Sequence, residues 1–269
     1  MFNWRDCYIS FVNLPHRTDR LAHMVNELSR VGLSAVKTVG IYPNEFDRDD
    51  PRFQMQFRRT PGSLGCWSAQ VSIAKKALEL NKSGIILEDD LVFASDTIDR
   101  LDYIQDYINV KEPNFDIFFL GGTVHCNRSW WHGNPHYSEL PTCHCTLERD
   151  GELTDDPRII RTYGMFSTHA WIVNKNAIQK ILDLLDSFMQ YSIGIDHALI
   201  NFQPQLRCFA FVPGTVKQMD NLSDIGYGET KFSGFSKLNG SIENSKYWWQ
   251  DKMTDFDPVT FNWAEYGNR

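Results

Sequence analysis

The chain has 269 residues, 42% of them hydrophobic and 23% charged, with a formal net charge of −7 at pH 7. Such a composition belongs to ordinary soluble globular proteins rather than collagenous or disordered ones, and its acidic balance argues against holding duplex DNA mainly by neutralising phosphates. No apolar run approaches the ~18–20 residues needed to cross a bilayer, and Met1-Phe2-Asn3-Trp4-Arg5-Asp6 lacks the basic and apolar regions of a signal peptide.

Cys7 to Asn13 is a β-rich apolar run that stops at Leu14-Pro15, as a buried strand does. Leu21, Met24, Val25, Leu28 and Val31 then recur at helical spacing, with Gly32 where a C-terminal cap belongs. Ala35 to Val39 predicts a second strand. This β-α-β opening implies a parallel sheet with helices against it. Residues 43–62 are polar, carry Pro43, Pro51 and Pro61, and read as a long surface loop. Arg48, Arg52, Arg58 and Arg59 could line a local basic groove there. Ser63 is placed to cap a helix with Leu64, Trp67, Val71, Ala74 and Leu78 on one face.

Gly84 to Glu88 predicts a short strand that ends in acid. Ile98, Leu101, Ile104 and Ile108 mark another helix, and Phe115 to Leu120 another strand, closed by Gly121-Gly122. From 123 to 157 the periodicity dissolves into His, Trp, Cys, Pro and acid. Thr168 to Val173 predicts a strand, Ala177 to Leu185 a helix face, and Arg207 to Val212 a last strand. Beyond Gly214 the chain is rich in Gly, Ser and Asn, with Trp248, Trp249 and Trp263 interspersed. Neither an internal repeat nor a linker divides it. The expectation is a single α/β domain with a less regular C-terminal third.

The sharpest local feature is Ile85-Ile86-Leu87-Glu88-Asp89-Asp90, an apolar strand that delivers three consecutive carboxylates at its end. On a strand, Glu88 and Asp90 project to one side and Asp89 to the other. Carboxylates that close repel unless donors or a cation neutralise them. A hard divalent ion such as Mg²⁺ or Mn²⁺ does this and keeps positions open for phosphate oxygens. The plain alternative is a solvated acidic turn that caps the next helix. A second cluster, His125, Cys126, His132, His136, Cys143, His144 and Cys145, packs imidazoles and thiols into 21 positions. A structural Zn²⁺ is one reading of it; ordinary loop residues are the other, because the spacing fits no C-x-x-C pattern. Trp130-Trp131 in the same segment suits a sugar or base platform, or buried packing.

Several segments, in order, resemble those of glycosyltransferase family 25, the lipooligosaccharide-type transferases related to collagen galactosyltransferase domains. Ile9-Ser10-Phe11-Val12-Asn13-Leu14 followed by Arg17-Thr18-Asp19-Arg20 is similar to the family's I-N-L-x-x-R-x-D-R start. Gly65-Cys66-Trp67-Ser68-Ala69-Gln70 resembles G-C-x-x-S-H, with Gln70 in place of the His, which leaves that position a neutral hydrogen-bonding role. Leu87-Glu88-Asp89-Asp90 matches L-E-D-D. Thr168-His169-Ala170-Trp171-Ile172-Val173 with Ala177 is similar to T-x-A-Y-x-I…A, Ile195-Asp196 to V-D, and Gln218 with Ser223-Asp224-Ile225 to Q…S-D-I.

The resemblance implies a single α/β domain of GT-A type, Rossmann-like and nucleotide-sugar-binding, over 1–226. Its nucleotide-sugar part would be about 1–122 and its acceptor part about 123–226, with 227–269 an irregular aromatic-rich extension. It implies a UDP-sugar donor, often UDP-galactose, Mn²⁺ (or Mg²⁺), and inversion at the anomeric carbon of a hexose or pentose. Asp90 is the expected direct metal ligand with Glu88; Glu88 and Asp89 would also orient ribose or metal-bound water. Asp196 is the expected general base, its alternative role being a helix N-cap. Asp224 is the reserve base, or an Asx turn. Asn13, Arg17 and Arg20 follow the first strand where nucleotide would lie, or are turn and surface residues.

The default acceptor under this resemblance is a surface saccharide. One alternative is a compact phage or viral enzyme that glycosylates a hydroxymethylated DNA base, disfavoured by the acidic charge. The other is a non-catalytic sugar- or nucleotide-binding module, disfavoured by the intact Glu88-Asp89-Asp90 and Asp196. Six cysteines without a secretory leader predict a reducing, cytoplasmic setting.

Overall fold

Apolar runs with no polar alternation need a helical layer on each face, and the strands of this chain have one. The computed structural model describes residues 1–40, 61–124, 151–156, 158–189, 194–211, 214–219, 221–223 and 228–230. The chain opens with β1 (Tyr8–Asn13), α1 (Thr18–Val31) and β2 (Val36–Val39), followed by α2 (Pro61–Glu79), β3 (Gly84–Leu87), β4 (Leu91–Phe93), α3 (Thr97–Lys111) and β5 (Ile117–Val124). Then come β6 (Gly151–Leu153), β7 (Ile159–Thr162), β8 (Met165–Val173), α4 (Ile178–Ser187), α5 (Ile195–Phe202) and β9 (Cys208–Phe211). Three short strands, β10 (Val216–Gln218), β11 (Asn221–Ser223) and β12 (Gly228–Thr230), complete the described part.

Eight strands form one sheet in the order β2-β1-β3-β8-β5-β9-β7-β6. β1 runs parallel to β2 and to β3, as the β-α-β opening predicts. The parallel expectation does not extend across the sheet: β8 lies antiparallel between β3 and β5, and β7 is antiparallel to β6 and β9. The fold is therefore a mixed α/β sheet with a Rossmann-like first half. Alternation sorts the core. Ile86, Ile117, Phe119, Trp171 and Val173 pack with α2, α4 and α5 on one face. Ile85, Leu87, Phe118, Leu120 and Ile172 pack with α1 and α3 on the other. Each such side chain, fully buried, contributes roughly 1.5–3 kcal/mol of transfer free energy.

Several boundaries differ from the sequence-based expectation. The second helix begins at Pro61, a residue suited to the first helical turn, so Ser63 lies inside it and is not its cap. β5 is not closed by Gly121-Gly122 but runs through them, with register shifts against β8 on either side of Gly121. Arg207 to Val212 is not the last strand. β10 pairs antiparallel with β4, and β11 with β12, each over three residues, too short for a periodic signal. Gly32 does end α1 in the left-handed region, at φ 72°. None of the described helices is long and apolar enough to cross a membrane. The His/Cys cluster 125–145, Trp130-Trp131, the arginines at 48–59, Asp224 and nearly all of 227–269 lie outside the described residues.

Candidate active site

β1 and β3 are adjacent and parallel, so their carboxyl ends lie side by side, where open α/β sheets bind ligands. Beyond β3 the chain turns through Glu88, Asp89 and Asp90 into β4. Side chains of α1 hold that turn in place: His23 Nε2 meets Leu91 O at 2.7 Å, the Phe93 amide donates to Glu27 at 2.9 Å, and Arg30 donates to Phe93 O at 2.7 Å. The other edge of β4 pairs with β10, and the Met219 amide donates to Asp90 O at 2.8 Å.

β3 ends at Leu87, so strand alternation does not carry through the turn, and the three carboxylates are sorted by their partners. Asp89, buried, accepts from Arg20 at Oδ1 (2.9 Å) and from Asn13 Nδ2 at Oδ2 (2.7 Å). It ties β3 to β1 and α1. Glu88 and Asp90 share one donor: Gln218 Nε2 lies 3.3 Å from Glu88 Oε2 and 3.2 and 3.1 Å from the Asp90 oxygens. Arg20 also reaches Asp90 Oδ2 at 3.4 Å. Removing one partner of a buried ion pair strands the other charge. Asp89→Ala should therefore lower stability by about 3–5 kcal/mol in urea unfolding; a loss within 0.5 kcal/mol, about what an ordinary surface substitution costs, would show that the clamp is dispensable.

Glu88 is gripped from its other side by α2. Gln70, fully buried, donates from Nε2 to Glu88 Oε1 at 3.0 Å and to Thr168 Oγ1 at 3.3 Å, and its Oε1 accepts the Trp171 indole N–H at 3.0 Å. An indole only donates, so it orients the amide and points the Gln70 NH₂ at Glu88. Cys66 Sγ lies 3.6 Å from Glu88 Oε1. Burial, then the charges of Asp90 and Asp89, and also Asp196, push the Glu88 carboxyl well above the usual range. A cation between Glu88 and Asp90 would relieve that repulsion.

Asp196 sits in the first turn of α5, whose N-cap is Gly194, so it is not the cap. Its Oδ1 accepts the His197 backbone N–H at 2.9 Å and lies 2.8 Å from His197 Nδ1. Burial works to raise this carboxyl, but the charge and hydrogen bonds of His197 bring it below its usual value, so it is ionised near neutral pH. A Cβ at Gly194 would stand 2.7 Å from Asp196 Oδ1, so a larger residue there would push on this carboxylate. Asn13, Arg20, Glu88, Asp89 and Asp90 are thus brought together, with Asp196 near enough to act on Glu88. Arg17 instead pairs with Asp19 through two hydrogen bonds, at 3.0 and 2.8 Å, at the start of α1. His197 and the linking roles of Gln70 and Gln218 are not legible as site features from spacing. The signal for the two glutamines was their place in segments resembling the family's.

Among the described residues no three His, Cys, Asp or Glu side chains converge as a complete metal-ligand set. Glu88 and Asp90 fit a hard cation whose remaining positions would be filled by phosphate oxygens and water, the usual condition for Mg²⁺.

A Rossmann-like opening, with an acidic turn at the carboxyl end of β3, defines a mixed α/β domain whose ligand-binding edge is the one usual for such sheets. The chain belongs to glycosyltransferase family 25, described as an LPS biosynthesis protein family, whose model matches residues 7–199. Among solved structures, a glycosyltransferase involved in glycosylation of the major capsid of PBCV-1 is 14% identical, with a TM-score of 0.39, covering 77% of this chain and 82% of its own. The inositol-1-phosphate CTP transferase from T. maritima is 13% identical, with a TM-score of 0.35, over 79% of this chain and 70% of its own. No curated protein matches the sequence.

Proposed function

We propose that the protein is a metal-dependent glycosyltransferase that moves a hexose or pentose from a UDP-sugar to an acceptor hydroxyl with inversion. The observation that carries this reading is the convergence of Glu88 and Asp90 on a single donor at the end of a central strand, in a chain of this family. Asp90, with Glu88, would hold Mn²⁺ or Mg²⁺, which supplies charge neutralisation for a departing diphosphate. Arg20 and Asn13 hold Asp89 and keep the acidic turn in register with β1. Asp196 accepts the proton of the attacking hydroxyl; Asp224 is its reserve. The acceptor in this reading is a surface saccharide, supported by the family's description as an LPS biosynthesis protein family, taken by the part after residue 123, with the reaction in the cytoplasm.

Ligands that bind only the native state stabilise it by mass action. UDP or a UDP-sugar should therefore raise the melting temperature more with Mn²⁺ present than without, measured by thermal shift. Equal shifts in both conditions would remove the ion from the reaction.

A further inference from the structure

The side chain of His169, on β8, has no part in the site described above. The residue is buried, 6% exposed, and neither Nδ1 nor Nε2 has a hydrogen-bond partner. A buried polar atom left unmade costs about 1–3 kcal/mol, and this ring carries two. Burial lowers its pKa to about 4, so at neutral pH one nitrogen donates and the other accepts.

The backbone is irregular on both strands beside the ring. Ser167, two residues earlier, has φ 65°, uncommon for any residue but glycine. Across from it the β5 register shifts around Gly121, where a Cβ would lie 2.7 Å from His169 Nε2 and 2.6 Å from Val216 O. Strained and irregular backbone of this kind clusters where ligands are held. The residue is tied to the carboxylate turn through its backbone: His169 O accepts the Glu88 N–H at 2.8 Å. Its Nε2 and the Val216 side chain both border the space that a Cβ at Gly121 would take. Val216 and Gln218 fall on the same side of β10 by strand alternation, and Gln218 spans Glu88 and Asp90. The imidazole and the carboxylate pair thus both neighbour β10, the one across from Val216 at Gly121 and the other through Gln218.

We propose that His169 is a binding residue for the sugar of the donor, its two ring nitrogens giving and taking hydrogen bonds with that sugar's hydroxyl groups. Hydroxyls both donate and accept, as a neutral imidazole does, whereas a diphosphate only accepts and is better met by a cation. The inference rests on the nucleotide-sugar reading above. It explains why two unmet polar atoms are retained next to a site for diphosphate: the bound sugar satisfies them.

Calorimetric titration of UDP, UDP-galactose and UDP-glucose, each with Mn²⁺, into wild type, His169→Leu and His169→Asn tests it. Wild type should bind one of the UDP-hexoses more tightly than UDP. His169→Leu should keep its UDP affinity, lose about tenfold in affinity for that UDP-hexose, and melt no lower than wild type because the unmet polar atoms are gone. His169→Asn should retain part of the sugar's contribution, and it carries the comparison alone if the Leu variant does not fold. Unchanged UDP-hexose affinity in the variants overturns the proposal, and so does an equal loss for UDP and UDP-hexose. Wild type that binds UDP but gains nothing from either hexose overturns it as well. Wild type that binds none of the three overturns the nucleotide-sugar reading itself.

Discussion

Asp196→Asn should keep donor binding nearly intact and lower turnover by about two to four orders of magnitude, the usual contribution of a positioned general base. The substitution preserves an oxygen that can accept the His197 backbone N–H, so the start of α5 keeps its local bond. It removes the carboxylate's ability to take a proton. A helix-cap role cannot account for such a loss, because Gly194 is the cap and Asp196 lies within the first turn. Steady-state kinetics with separate kcat and KM, set beside calorimetric donor affinity, reads the result. Near-normal turnover would move the base assignment to Asp224.

Asp90→Asn should behave differently, with donor binding and transfer falling together. The change keeps size and shape and removes one charge from the pair that shares Gln218. A hard cation with two protein carboxylates depends on each, since an amide oxygen is a weaker ligand. Even changes to residues behind metal ligands cost 10–100-fold in affinity, so Mn²⁺-dependent UDP affinity should drop by about that much or more. Stability should change little, because relief of the repulsion with Glu88 is set against a weakened Arg20–Asp90 pair. This is far smaller than the loss expected for Asp89→Ala. An acidic turn with no ligand predicts the same small change in stability but unchanged UDP affinity, and calorimetry of UDP with Mn²⁺ separates the two. Unchanged affinity together with an unchanged rate would sink the proposed reaction.

The elements that sequence periodicity identified are those with long apolar faces. α1 showed Leu21, Met24, Leu28 and Val31 at helical spacing, and of these Met24, Leu28 and Val31 are buried. β3 and β8 read as apolar runs because both their faces are covered. β4 and β10 left no such signal. Each is three residues long and exists because its partner satisfies its backbone while α1 side chains hold the other edge of β4. β8 was legible as a strand, but not that it runs antiparallel between β3 and β5, because the direction of a strand leaves no mark on its hydrophobic pattern.

At the site, local rules were enough for the acidic triplet. An apolar strand that runs into Glu88-Asp89-Asp90 marks an acidic turn at the end of β3, but alternation stops with the strand at Leu87, and Arg20 reaches both Asp89 and Asp90. The order of short segments along the chain was enough for the family. Partners were another matter. That Asp89 is answered by Arg20 and Asn13, that Glu88 lies between Gln70 and Gln218, and that Gly121 clears space for an unmet His169 depend on contacts between residues far apart in sequence. Such contacts arise only when β1, β3, β5, β8 and β10 are assembled. Periodicity reports which face of an element is buried, and packing alone decides which polar group waits on that face.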